Sequence, residues 1–162
     1  MKKVLSFIAA AMICAVMFVS CGQSSSFPTE MMAMEKALQN QDFKGVISNA
    51  KVILNAQDKA TCNDLISSSI SAYMAVVGLT KTGQQLDTEE ALDLAKKIAA
   101  GFEKSKALDA DFYKQQSDES KAILGGTFDD VLTNIKTSWI PTYEAMLQGD
   151  PEEEEGDYSE EE

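Results

Sequence analysis

Three cysteines are the residues of this chain best suited to covalent chemistry, and their positions differ sharply. Cys14 lies inside an apolar run, Cys21 lies where that run meets the small polar stretch 22–26, and Cys62 stands alone further along. A cysteine at such a seam can be a core thiol, half of a disulfide or a site of covalent modification. The residues that precede Cys21 bear on that choice.

Residues 1–20 have the layout of a secretory signal. Lys2 and Lys3 form a basic start, residues 4–19 are an apolar run of 16, and small residues follow. A membrane-spanning helix needs about 20 apolar residues. We therefore expect residues 1–20 to be removed as a signal peptide.

The stretch Phe18-Val19-Ser20-Cys21 resembles the lipobox of bacterial lipoproteins, although Phe18 stands where that family usually has Leu. The resemblance implies a diacylglyceryl group on the Cys21 thiol, cleavage before Cys21, and acylation of the new amino terminus, with palmitate as the expected chain. Several acyl chains on one residue anchor a protein more firmly than a single chain does. A plain cleaved signal that leaves Cys21 as a free thiol is the alternative.

The residue after the lipidated cysteine often directs sorting in that family, and Asp there often means retention in the inner membrane. Here Gly22 follows. The resemblance therefore implies a lipid anchor in the outer membrane, and the periplasmic face is preferred because residues 23–26 carry no acid of the kind that marks some surface-displayed lipoproteins.

Composition excludes several other chemistries. The chain has no His and, with 14 lysines as its only cationic side chains, no Arg. Removal of residues 1–20 leaves 12 lysines against 26 acids, a net charge of −14. A phosphate backbone needs a basic patch, so nucleic acid is not an expected partner. The commonest general base and metal ligand is missing as well, and neither a catalytic site, a metal nor a cofactor other than the Cys21 lipid is expected.

The remaining reactive-looking groups have structural interpretations. Met31, Met32 and Met34 could offer thioether ligands to copper, but a core stripe explains Met31 and Met34. Cys62 is interpreted as a small buried residue in the first turn of a helix, and serines 67–71 as the polar face of that helix.

The elements that must position these residues are helices. From Phe27 onward apolar side chains recur at helical spacing, without sustained alternation. We predict an all-α domain over 27–149, a compact bundle or stack of helical hairpins with about six helices. They are expected near 28–40, 43–54, 61–81, 87–102, 109–123 and 127–147, with capping signals at Thr61-Asp64, Asp87-Glu90 and Thr127-Asp130.

Pro141 interrupts the stripe of the last helix. Because proline inside a helix removes a hydrogen bond and clashes with the preceding turn, we predict a kink near 135–138 and not a break. Residues 42–54 resemble the second half of a tetratricopeptide repeat, and residues 91–98 look similar. The two sites lie 45 residues apart, whereas that repeat has about 34; a generic helical bundle is the alternative.

The segment 150–162 is a separate region with nine acids in 13 residues. Such a composition buries too little apolar surface to order itself, so we expect a disordered acidic tail. It either meets a basic partner or serves solubility.

These features predict a lipid-anchored envelope module, with residues 21–26 as lipidated cysteine and linker, that binds a protein or peptide and is not an enzyme. The alternative is a carrier of an apolar small molecule between the third, fourth and sixth helices. A closed pocket lined by Tyr73, Phe102 and Trp139 would favour the carrier, and an exposed groove over a solid core would favour the protein-binding module.

Overall fold

The computed structural model describes residues 25–149, with the exception of the side chain of Glu119. The predicted signal peptide, the predicted lipid site at Cys21 and the acidic segment 150–162 lie outside this range. Within it the regular structure is helical and no β-strand occurs. The predicted all-α fold is confirmed.

Eight α-helices follow one another along residues 25–149. A π-helical turn at Ile135–Trp139 joins the last two helices into one rod. The helices are α1 (Pro28–Gln39), α2 (Phe43–Asn55), α3 (Cys62–Lys81), α4 (Thr88–Leu108), α5 (Ala110–Lys114), α6 (Asp118–Leu124), α7 (Phe128–Asn134) and α8 (Ile140–Gln148).

The single helix expected over 109–123 is wrong, because two caps divide that segment. Asp109 accepts a hydrogen bond from the Phe112 backbone N–H at the start of α5, and Ser117 does the same for Ser120 at the start of α6. Ser and Asp are strong N-cap residues that compete with a continuing helix. Two short helices result.

The predicted capping signals occur at the starts of α3, α4 and α7. Reciprocal capping boxes form at Thr61-Asp64 and Thr127-Asp130, and hydrogen bonds from the Thr127 hydroxyl and backbone N–H lower the pKa of Asp130. Asp87 caps α4 without a reciprocal bond: its carboxylate accepts from the Glu90 backbone N–H at 2.8 Å. Each cap satisfies backbone donors that the first turn leaves free.

Neighbouring helices α1 to α4 are antiparallel, which gives the bundle two ends. The Cys62 thiol, at the start of α3, lies 3.3 Å from the Ser105 carbonyl oxygen near the end of α4. We call this the Ser25 end, since Ser25 contacts the first turn of α3 there. The other end, called the distal end, holds Lys81 and Thr88.

The α7–α8 rod runs antiparallel to α4 from the Ser25 end to the distal end. Three lysine–carboxylate pairs fix this direction, because the residue numbers rise along one helix as they fall along the other. The pairs are Lys106–Asp129 at 2.9 Å, Lys136–Glu103, and Lys96–Glu144 at 2.7 Å.

Helix α3 is the centre of the molecule, and the predicted polar serine face on it is wrong. Ser67, Ser68, Ser69 and Ser71 are all buried. Their small size permits close approach: a Cβ added to Gly101 of α4 would lie 2.3 Å from Ser69 Oγ. These serines are therefore a packing surface and do not face solvent.

A π turn lies where the sequence predicts a kink before Pro141. The π turn covers Ile135–Trp139, and backbone angles stay helical at Asn134 and Ile140 on either side. A widened turn relieves the clash between a proline ring and the turn before it. The rod is distorted and not broken, as predicted.

Candidate functional site

An open groove of about 310 Å³ lies at the distal end, between α3, the start of α4, and α8. Its apolar lining includes Leu79, Leu86, Trp139, Tyr143 and Met146. Its polar lining consists of hydroxyl and amide side chains, namely Thr80, Gln85, Thr88, Ser138 and Thr142.

The spacing of the aromatic lining comes from α8. Trp139 is the last residue of the π turn, and Tyr143 and Met146 lie in α8. Steps of four and three residues put the three side chains on one face of the rod. The Trp139 ring stacks on Tyr73 of α3, with centroids 4.8 Å apart and planes 13° apart. The stack fixes the indole at the inner end of the groove.

The outer edge of the groove is exposed. Met146 is 62% exposed and its neighbour Leu147 is 44% exposed. Tyr143 is half-buried, and this burial raises the pKa of its phenol. A surface ion pair between Lys96 and Glu144 joins α8 to α4 nearby; exposed pairs of this kind contribute about 0–1 kcal/mol.

The lining of the groove carries no charged side chain. It can accept an apolar or aromatic group and hydrogen-bond to its edge through hydroxyl and amide groups. It holds no carboxylate, lysine or thiol to act as acid, base or nucleophile. The arrangement suits the binding of an apolar or aromatic group.

Of the three aromatic residues expected around a closed pocket, only Trp139 lines the groove. Phe102 is fully buried and packs against Phe128, with ring centroids 5.8 Å apart. Tyr73 supports the far side of Trp139. The expected pocket lined by all three rings does not form, although the groove does lie between the predicted third, fourth and last helices.

Cys62 is buried, as predicted. Burial, with a smaller contribution from the Asp109 carboxylate, raises the pKa of its thiol to about 11. The thiol is therefore protonated at neutral pH, and only the thiolate is a good nucleophile.

The three methionines of α1 do not converge. Met34 is fully buried in the core, Met31 is half-buried, and Met32 is exposed. This confirms the core interpretation of Met34. Among residues 25–149, no group of three or more His, Cys, Asp or Glu side chains could hold a metal ion.

Asp64 has a second role that sequence reasoning missed. Besides capping α3, this fully buried carboxylate accepts from the Ser25 hydroxyl at 2.5 Å and from the Ser26 backbone N–H at 3.0 Å. Ser25 is 39 residues away in the chain, so no local pattern could have indicated the pair. We call this arrangement the Asp64 clamp.

Comparisons with known proteins give no relative from which to infer function. No protein-family model, curated protein or solved structure matches the chain. In the described range, no helix combines the length and the apolar character needed to cross a membrane. The functional assignment below therefore comes from the groove, the clamp and the sequence.

Proposed function

We propose that this protein is a lipid-anchored helical module of the bacterial cell envelope that binds a protein or peptide partner in the distal groove. The observation that carries the proposal is an open, uncharged groove lined by Trp139, Tyr143 and Met146. The lipid anchor is placed at Cys21, in the outer membrane with the domain on the periplasmic face, because of the lipobox resemblance.

The composition of the groove supports a protein partner. Tyr, Trp and Met are enriched in the cores of protein interfaces, while charged residues are depleted there. Methionine also adapts to irregular apolar surfaces. A groove of about 310 Å³ admits one or two large side chains, so the partner is expected to insert an apolar anchor residue.

The same lining supports the proposal of a non-enzymatic role. General acid–base and nucleophilic catalysis need titratable or activated groups within hydrogen-bonding reach of the substrate. The groove offers neutral hydroxyl and amide groups instead. These can orient a partner's backbone or polar side chain.

A carrier of an apolar small molecule is the second candidate function, and the groove volume favours it. Ligand sites commonly measure about 300–1,000 Å³, and this groove lies at the lower limit. Its open shape and exposed Met146 favour the protein partner, because a carrier site normally encloses most of its ligand.

The test is affinity capture from detergent-solubilised envelopes of the native bacterium with a matched pair of variants. Met146→Glu places a charge in the groove, whereas Leu147→Glu places the same charge on the next exposed residue, outside the lining. We expect the wild type and Leu147→Glu to capture the same protein and Met146→Glu to lose it.

Equal capture by the two variants would contradict the proposal. A small molecule that copurifies with the wild type and Leu147→Glu but not with Met146→Glu, and that mass spectrometry of solvent extracts identifies, would favour the carrier.

A further inference from the structure

The Asp64 clamp fixes the start of the folded domain at one end of the bundle. Oδ1 of Asp64 accepts from the Ser25 hydroxyl, and Oδ2 accepts from the backbone N–H groups of Ser26 and Thr61, both at 3.0 Å. The Ser25 oxygen in turn accepts from the Phe27 backbone N–H at 2.9 Å. Charge-assisted hydrogen bonds to a buried carboxylate are strong, so Ser25 cannot swing freely.

The chain between the lipid site and the clamp is short. Cys21 and Ser25 are four residues apart, and four residues at about 3.5 Å each span no more than about 14 Å. A lipid on Cys21 therefore holds the Ser25 end within about 14 Å of the acyl chains' point of attachment.

An exposed leucine lies at this same end. Leu108, the last residue of α4, is 52% exposed. It sits beside the clamp because the Cys62 thiol, two residues before Asp64, contacts the carbonyl oxygens of Ser105 and Asp109 at 3.3 and 3.9 Å. Near this end, Lys104 pairs with Asp58 at 2.7 Å and Lys106 pairs with Asp129 at 2.9 Å.

The distal end has the opposite character. Helix α3, with 20 residues, separates the two ends by about 30 Å. The α7–α8 rod finishes at the distal end, and the nine acids of 150–162 follow directly. The negative surface potential of an anionic leaflet repels such a segment.

From these observations we propose that the Ser25 end, with Leu108 in contact with lipid, is the face that sits on the bilayer, and that the distal groove points away from it. This inference rests on the lipid anchor of the proposed function. The partner of the Ser25 end is the membrane surface itself. The distal end, which holds the groove, lies about 30 Å from that surface.

The test compares nitroxide labels at the two ends of the full, lipidated protein. Leu108→Cys and Met146→Cys change two exposed apolar residues, and buried Cys62 reacts slowly. Each labelled protein is reconstituted into vesicles of phosphatidylethanolamine and phosphatidylglycerol, and the label's accessibility to oxygen and to a water-soluble nickel complex is measured. Mass spectrometry of the amino-terminal peptide establishes acylation of Cys21 in the same samples.

We expect the oxygen-to-nickel accessibility ratio to be several-fold higher at position 108 than at position 146. Insertion of about twelve Gly and Ser residues between Gln23 and Ser24 lengthens the tether and should lower the ratio at 108 to that at 146.

The outcomes separate the inference from the function on which it rests. Three results with acylated protein would overturn the proposed orientation and leave the anchored-module function standing. They are a water-exposed label at 108, a lipid-exposed label at 146, and an unchanged accessibility ratio after the insertion. An amino-terminal peptide without acyl groups would overturn both.

Discussion

At the scale of single residues, Cys62 and Cys21 have opposite proposed roles. Cys62 packs beneath the end of α4, where burial raises the pKa of its thiol. Cys21 lies in a stretch of sequence that resembles a modification signal. The chemistry of each thiol is set by its surroundings, which gives each a separate prediction.

The raised pKa of Cys62 predicts a dependence of stability on pH. The folded thiol titrates at about 11, whereas an ordinary thiol titrates at 9.0. An unfolded chain therefore loses this proton first, and the contribution of Cys62 to stability, complete below pH 9, is lost as pH rises towards about 11.

The measurement is urea unfolding of the wild type and Cys62→Ser across that pH range. The serine variant does not titrate, so the difference in unfolding free energy between the two proteins should shrink as pH rises. A constant difference would contradict the assignment.

Cys21→Ser should abolish acylation and shift the protein from membrane to soluble or precursor fractions. The reason is that serine lacks the thiol to which the diacylglyceryl group is attached. Incorporation of radiolabelled lipid, compared with that of Cys62→Ser as the matched control, checks it. Unchanged incorporation in Cys21→Ser would refute the lipid site.

At the scale of elements, helix packing depends on small residues of α3 and α4. A Cβ added to Gly78 would lie 2.7 Å from two atoms of the buried Phe43 ring on α2. Alanine normally favours a helix over glycine by about 1 kcal/mol. Here the steric clash with Phe43 should outweigh the higher helix propensity of alanine, because a buried ring cannot move without disturbing the core.

We expect Gly78→Ala to lower the unfolding free energy by about 1–3 kcal/mol, the usual cost of overpacking a core. Urea denaturation measures it. In a double-mutant cycle, Phe43→Leu should recover part of the loss. Independent, additive effects of the two substitutions would show that the ring contact is not the cause.

The π turn before Pro141 leads to a second prediction at this scale. Proline in a regular helix interior costs about 3 kcal/mol, so replacement would ordinarily stabilise. Here the widened turn already accommodates the ring, and Pro141 lies in the first turn of α8. Pro141→Ala should therefore change the unfolding free energy by less than about 1 kcal/mol. A gain near 3 kcal/mol in thermal or urea unfolding would mean that the strain remains.

At the scale of the whole molecule, we propose that the two ends of the bundle divide two tasks: attachment at the Ser25 end and recognition at the distal end. The acidic segment 150–162 follows α8 in the chain, and α8 lines the groove. A basic partner could contact the groove and the acidic segment together, and its electrostatic attraction to that segment would weaken as the salt concentration rises.

Deletion of residues 150–162 should leave the unfolding free energy unchanged, because the core lies within α1 to α8. It should also reduce the salt dependence of partner capture, measured at low and high ionic strength against the full chain. If capture and its salt dependence both stay the same, the segment serves solubility alone.

Local features of this protein could be predicted from sequence because their causes are local. The capping boxes at Thr61 and Thr127 and the distortion before Pro141 each depend on residues within one or two turns. The buried positions of Met34 and Cys62 followed from helical spacing. The split between α5 and α6 was not predicted, because the weak apolar stripe over 109–123 indicates one helix. The N-caps at Asp109 and Ser117 divide it.

Tertiary structure alone decided the rest. Serines 67–71 resemble a solvent-facing stripe until Gly101 of another helix packs against Ser69. The bond between Ser25 and Asp64 joins residues 39 apart, and the groove exists only where α3, α4 and α8 meet. Burial and long-range pairing depend on which surfaces come together, and that information is spread over the whole chain. The sequence determined the helices and the chemistry available to them. The packing of those helices decided which residues form the groove and which end of the bundle holds Ser25.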